Sequence, residues 1–512
     1  MKRYSLHLVW NIFFFVCFIV ITFSYNFGLG KNYFEEWSNF LVFTPEILLL
    51  YVFIFLFIYS FFFKISWNDC VLIYFSTVIA IIYLTNMVIK SEISWNNDFF
   101  FVSGQVLNIK ISILVLVLII LLSMYFLGYE QVELALNFEL FVIFILCIFG
   151  IFIFVMSNHM FILYLGIELQ SLAMYISCAL NKTSNKSLES ALKYFFYGSY
   201  ASAVLLLGIA LIYGLLGTLN FNDIHIILSS MDNINMLLSF SLFCIIAGFF
   251  FKMAVFPFHW WLPEIYEGTA DVITFFLAIV PKLSYFYVFS RLFYLVLSKN
   301  LLMLYVLIFC GLGSIIIGSI LALYEYRFKK LLAYSSIVHM GYMVLALATG
   351  LKAGLVASFY YFFIYIVVNL SIFIIFLTLR LSVGGNTLGN ITDLVFLKNS
   401  YKWLCFFMAV ALFSLAGIPP LIGFYGKLFV FSLYVAQGDY FICLIILLTS
   451  VLSCAYYIRL LRYIYFDERN TIVFFKAPNW WILFFIVILF FFNISFLFIQ
   501  EPLLIHLFVL FF

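Results

Sequence analysis

The stretch Gly248-Phe-Phe-Phe-Lys252-Met-Ala-Val-Phe-Pro257-Phe-His259-Trp-Trp-Leu-Pro263 sits within a long apolar run, yet it holds a proline break and a lysine. Proline removes a backbone donor and clashes with the preceding turn, so it interrupts a helix. A lysine surrounded by hydrocarbon is costly. Both are tolerated where interrupted backbone faces a cavity inside the protein instead of lipid. A second stretch, Leu415-Ala-Gly-Ile-Pro419-Pro420-Leu-Ile-Gly-Phe-Tyr-Gly-Lys427, repeats the combination. These two breaks decide the architecture, because everything around them is hydrophobic.

Of 512 residues, 67% are hydrophobic and 9% charged, against roughly a quarter charged in soluble domains. No soluble fold hides that much apolar surface. Runs without Asp, Glu, Lys or Arg cover 4–30, 70–89, 111–129, 140–167, 194–222, 301–324, 353–379 and 403–426, each near or above the roughly 20 residues needed to cross a bilayer as a helix. Lipid offers the backbone no hydrogen-bond partner, so helices are required, and the ~10-residue alternation of a barrel is absent. Punctuation between the runs predicts an all-α polytopic membrane protein of about fifteen transmembrane helices. The expected spans lie near 8–28, 44–63, 69–90, 110–128, 138–156, 159–180, 190–217, 238–267, 270–296, 300–325, 328–349, 353–380, 402–432, 438–466 and 478–500.

Counted from residue 138, each proline break falls in the fourth span of a five-helix block. Five is odd, so consecutive blocks cross in opposite senses, as two inverted five-helix repeats. The expected organisation is an additional N-terminal helix in 1–43, core helices in 44–137, repeats in 138–297 and 298–467, and a C-terminal helix and tail in 468–512. The tail from Glu501 is too short to span and is expected at the interface.

The net charge of +3 comes without a basic stripe, which excludes a nucleic-acid partner. The nine cysteines are scattered singly, with no CxxC pair, so neither a metal centre nor a cofactor is expected. Heavy use of Phe, Tyr, Ile and Asn is the drift of an AT-rich genome, of which an organelle genome is one source. The short loops show no clean Lys/Arg asymmetry, leaving orientation open.

Ionisable residues far from span ends carry the functional argument. Glu168 has 28 uncharged residues before it and 13 after, and a carboxylate at that depth must be paired, wetted or protonated. Lys252, Lys282 and Lys427 are midspan lysines near prolines, where desolvation favours proton exchange; snorkelling toward headgroups is the rival reading. Lys193 lies nearer its helix start, where snorkelling competes with a pairing to Glu168 across the 181–190 turn. His259 and His339 are relay candidates, each weighed against an ordinary packing histidine. His159 and His7 stand close to span ends, and Glu46 reads as a helix-start carboxylate.

The motifs Gly166-Ile-Glu168-Leu-Gln, Ala191-Leu-Lys193-Tyr-Phe, Phe251-Lys252 with Pro257-Phe-His259-Trp, Ile279-Val-Pro-Lys282, Leu332-Ala-Tyr-Ser-Ser-Ile-Val-His339 and Gly423-Phe-Tyr-Gly-Lys427 resemble the antiporter-like membrane subunits of respiratory NADH:ubiquinone oxidoreductase, complex I. Within that family the match looks closest to NADH dehydrogenase subunit 2. Subunit-4-like members carry glutamate where Lys427 stands, and subunit 5 continues into a long lateral helix. The resemblance implies a fourteen-helix core and a proton path along the midplane. It further implies that Glu168 and Lys193 form an ion-pair switch and that Lys252 holds the proton of the first half-channel. Lys282 and His259 are implied as connectors, His339 as a relay and Lys427 as the outlet. Implied partners are the other membrane subunits of the complex and lipids, in the mitochondrial inner membrane or a bacterial plasma membrane, with quinone reduction elsewhere in the assembly. A cation/proton antiporter subunit shares nearly every motif and is the alternative. One departure is Thr269-Ala-Asp-Val272, where the family has an Ala-Pro-Thr-Pro-like stretch.

Overall fold

The computed structural model describes residues 43–62, 67–90, 95–96, 98–127, 137–181, 184–231, 235–297, 300–379, 389–467, 475 and 479–511. The expected span 8–28, with His7, lies outside them. The chain is nearly all helix: α1 Thr44–Phe62, α2 Trp67–Lys90, α3 Gly104–Leu127, α4 Asn137–Val155, α5 Met160–Cys178, α6 Asn185–Leu216, α7 Phe221–Ser230, α8 Met236–Met253, α9 Trp261–Gly268 and α10 Asp271–Leu292. There follow α11 Leu301–Tyr324, α12 Phe328–Ala348, α13 Lys352–Thr378, α14 Val395–Ser400, α15 Lys402–Ala416, α16 Ile422–Gln437, α17 Tyr440–Tyr465 and α18 Trp480–Phe511. Among the described residues, ten helices are long and apolar enough to cross a membrane, with shorter apolar helices over 44–58, 69–85, 402–416 and 480–495.

Three elements depart from the sequence expectation. The expected loop 91–110 instead contains a two-stranded hairpin, β1 Trp95–Asn96 with β2 Phe101–Val102, and a helix that has already begun at Gly104. The segment after Leu219 forms α7, a short amphipathic helix between two spans. The final helix continues to Phe511 instead of ending near residue 500.

Polar side chains within the spans are reconciled with hydrocarbon locally. Ser123, Ser177, Thr274, Ser284 and Ser358 each donate to a carbonyl three residues earlier, at 2.6 to 2.8 Å, so their hydroxyls cost little inside a helix. The core is centred on α10, α12 and α13, which are almost wholly enclosed by other helices. These three helices sit where the ionisable residues gather.

Short connections alternate the helix directions, and contacts between turns fix which turns share a face. On one face Arg291 donates to the Ser157 carbonyl, His225 lies 2.5 Å from that of Leu295 and Gln437 donates to that of Thr349. On the other, Lys329 donates to the Thr269 carbonyl, Lys193 meets Glu264, and Arg459 donates to the carbonyls of Ala322, Leu323 and Glu325. Sorted this way, Lys186, Lys193, Arg327, Lys329, Lys330, Lys398, Lys402, Arg459 and Arg462 share the second face. Lys90, Arg291 and Lys352 are the described cations on the first. The asymmetry that loops read in isolation conceal appears once helix direction is known.

Candidate functional site

The first break is built from the end of α8. Ala254 adopts a left-handed φ of 58°, Val255 N–H reaches back to the Phe250 carbonyl, and a cis Phe256–Pro257 bond follows. Side chains satisfy the groups that the interruption frees. The Ser314 hydroxyl accepts from Phe256 N–H at 2.9 Å, and the Trp261 indole donates to the Phe251 carbonyl at 3.0 Å.

Lys252, in the last turn of α8, is buried, with its Nζ 3.3 Å from the Tyr175 hydroxyl. A Cβ at Gly198 would stand 1.9 Å from that hydroxyl, so a glycine on α6 makes the room that Tyr175 occupies. Glu168 lies seven residues, or two turns, before Tyr175 on α5 and so on the same side of that helix. Its Oε1 is buried without a hydrogen bond, and the Tyr164 phenol lies within reach of the carboxylate.

At the second break α15 ends at Ala416, Gly417 turns the chain with φ 83°, and a cis Pro419–Pro420 bond precedes α16. Lys427 folds back onto the interruption, donating to the Ala416 carbonyl at 2.8 Å and to Ser453 Oγ at 3.0 Å. Gly417 is required twice here. Its φ is one that L side chains avoid, and an added Cβ would stand 2.9 Å from Lys427 Cδ.

Between the breaks runs a series of buried polar groups. Lys282, just after Pro281 in α10, donates to Ser336 Oγ at 2.9 Å and is flanked by the Tyr266 and Tyr365 rings at 5.9 and 6.0 Å. His339 lies three residues beyond Ser336, hence on the same side of α12. Its Nδ1 meets the Tyr361 hydroxyl at 2.9 Å and its Nε2 that of Tyr457 at 3.2 Å. Tyr342 follows on the next turn, 3.4 Å from Thr449 Oγ1, with Lys427 Nζ 5.6 Å from its ring centre. Hydroxyl and imidazole groups donate and accept alike, so the arrangement is suited to passing protons between the two lysines.

Two expected neighbours are not brought together. Lys193 does not pair with Glu168; its ammonium stands 2.8 Å from each of Glu189 and Glu264 and is well exposed. Its flexible stem reaches the polar end of α6, where a carboxylate four residues earlier and another on α9 are available, and this is the snorkelling outcome. Nor does His259 bridge Lys252 and Lys282. It is fully buried against Phe256 and Trp260, and among the described residues no side chain hydrogen-bonds either ring nitrogen. His159 caps α5, its Nδ1 accepting from Phe161 N–H at 3.2 Å.

The structure also adds residues that the sequence reading passed over. Glu46 does not merely begin a helix: its carboxylate meets Lys110 Nζ at 2.5 Å, and both residues are buried. Lys110 was hidden because Asn108 and Lys110 read as the end of a loop, whereas it lies two turns inside α3. Asp271, at the departure from the family motif, forms a buried pair with Lys329, linking the helix of Lys282 to that of His339. Tyr175, Tyr361 and Tyr457 went unnoticed because tyrosine is so abundant here that no single one stands out.

The model of a family described as NADH:quinone oxidoreductase/Mrp antiporter, transmembrane, matches residues 157–453. NADH-quinone oxidoreductase subunit N of Pelagibacter ubique is 38% identical over 324 residues, covering 63% of this chain and 68% of that protein. NADH-ubiquinone oxidoreductase chain 2 of Marchantia polymorpha is 36% identical over 324 residues, or 62% of this chain and 65% of its own length. Among solved structures, a chain of respiratory complex I from Thermus thermophilus superposes with a TM-score of 0.75 at 23% identity, covering 90% of this chain and 98% of the other.

Proposed function

The chain belongs to the NADH:quinone oxidoreductase/Mrp antiporter membrane family, and from that premise we propose that it moves protons as an antiporter-like subunit of a respiratory NADH:quinone oxidoreductase. Oxidation of NADH and reduction of quinone fall to other subunits. The observation that carries the reading is the buried row of polar groups between the two breaks, in which Lys282 bonds Ser336, His339 bonds Tyr361 and Tyr457, and Lys427 lies beside the Tyr342 ring. In this scheme Glu168 biases Lys252 across Tyr175, Lys252 hands its proton to Lys282, and Lys427 releases it. Glu168 with Lys252 replaces Glu168 with Lys193 as the charge pair on which redox-linked movement acts, and Lys193 joins the surface network with Glu189 and Glu264. His259, lacking a partner, enters only if water bridges it to Lys252.

The finer assignments follow from the same premise. The subunit-2 type is supported by lysine at 427 and by the similarity to both subunit N and chain 2 relatives. Two five-helix repeats over 138–297 and 298–467, within a plan of about fifteen spans, account for two similar breaks crossed in opposite senses. The basic face is placed toward the cytoplasm or matrix, because short loops retained inside are rich in Lys and Arg. The setting is an energy-transducing membrane: the composition supports a mitochondrial inner membrane, and the Pelagibacter relative a bacterial plasma membrane.

The test is Glu168→Gln and Lys252→Ala in the assembled complex, reading quinone reduction and proton uptake together in proteoliposomes. Loss of pumping of tenfold or more is expected; unchanged electron transfer and pumping would overturn the reading. The Mrp half of the family description favours a second reading, a cation/proton antiporter subunit. Salt-dependent transport without any redox partner would select it.

A further inference from the structure

Arg291 is a partly buried cation outside the proton path. It lies in the last turn of α10, away from the basic face, with Nη1 donating to the Ser157 carbonyl at 3.1 Å and Nη2 to Asn158 Oδ1 at 3.0 Å. Its guanidinium stacks on Phe101, 4.2 Å from the ring centre. Among the described residues no carboxylate pairs with it. A stacked, immobilised guanidinium with unfilled donors and no counter-ion is poised for a planar or tetrahedral oxyanion.

Beside it is a cavity of about 200 Å³ whose lining mixes Gln105, Asn222, Tyr287, Ser290 and Tyr294 with Leu295 and Leu355. We propose that this cavity binds a phosphate group, held by the donor fork of Arg291, and that in the membrane the phosphate belongs to an anionic phospholipid. The amphipathic lining carries the second half of the proposal. Free phosphate has no use for Leu295 and Leu355, whereas the glycerol and first methylenes of a lipid do. The location agrees, since the last turn of a spanning helix lies at headgroup depth. Seated there, the headgroup joins the end of α10, which carries Lys282, to the start of α3 at Gln105, to α7 at Asn222 and to α13 at Leu355.

The experiment uses the full chain, delipidated in detergent and titrated separately with phosphatidylglycerol, phosphatidylcholine and inorganic phosphate, with retention read by native mass spectrometry. Phosphatidylglycerol is expected to bind, phosphatidylcholine to bind far more weakly, and Arg291→Gln to weaken phosphatidylglycerol at least tenfold. Binding of inorganic phosphate with the same dependence on Arg291, and none of phosphatidylglycerol, would keep the phosphate site and overturn its lipid source. Gln105→Glu keeps Arg291 and its bonds to Ser157 and Asn158 while supplying an internal counter-ion. It therefore gives the readout if Arg291→Gln does not fold, and is expected to weaken binding tenfold as well. Equal binding of phosphatidylglycerol and phosphate by wild type and both variants, or no anion binding by wild type, overturns the site.

Discussion

The two interrupted helices solve one problem in different ways. At the first, freed backbone groups are taken up by neighbours, Ser314 and Trp261, and among the described residues Lys252 is left with a single phenol at 3.3 Å. At the second, the lysine itself takes up the freed carbonyl of Ala416, and Ser453 holds it there. In the proposed scheme Lys252 is therefore the lysine that responds to a moving charge, while Lys427 also holds its break together. Similar sequence around a break does not imply a similar division of labour.

The largest expected effect separates the two lysines by stability. Lys252→Met and Lys427→Met should each reduce pumping at least tenfold in the assembled complex. Lys427→Met should in addition destabilise it by about 1–3 kcal/mol, because the Ala416 carbonyl is orphaned in a buried site. Thermal unfolding of the purified complexes distinguishes the two, and equal melting would break the contrast.

Next in size are the turn residues. Gly417→Ala forces an L side chain to φ 83° and against Lys427, so a loss of about 1 kcal/mol or more and a several-fold fall in pumping are expected. Ala254→Gly at the first break relaxes the backbone but gives up a buried methyl, and should stay within about 0.5 kcal/mol of wild type. Tyr175→Phe removes the hydroxyl partner of Lys252 without altering Lys427, and should cut turnover-linked pumping several-fold while thermal stability holds. The smallest effect belongs to Lys193→Met, whose ammonium is shared by two exposed carboxylates. Pumping within about twofold of wild type is expected, and a loss as large as that of Lys252→Met would restore the Glu168–Lys193 pairing.

Much of the fold was legible because lipid imposes a simple rule. Runs free of charge must be helices, and the proline breaks at Pro257 and Pro420 could be seen as interruptions. Depth was legible too: Lys252, Lys282 and Lys427 are all buried, as their distance from span ends indicates. Partners were not. A lysine stem covers several ångströms, so sequence position cannot say whether Lys193 turns toward Glu168 or toward Glu264. Glu46 and Lys110 are separated by a whole helix, α2, and only the tertiary structure reveals the pair. The same applies to Asp271, whose departure from the family pattern makes sense once Lys329 is seen beside it.

His339 is bonded at both ring nitrogens, to Tyr361 on one side and Tyr457 on the other. A proton entering at one nitrogen and leaving from the other exchanges the tautomer, and each phenol in line reverses its own donor and acceptor ends with it. The wire is then set against a second passage in the same direction until ring and hydroxyls turn back. In the proposed path such a relay carries one charge and must be reset before the next, which makes the stretch between Lys282 and Lys427 a ratchet tooth more than an open conduit.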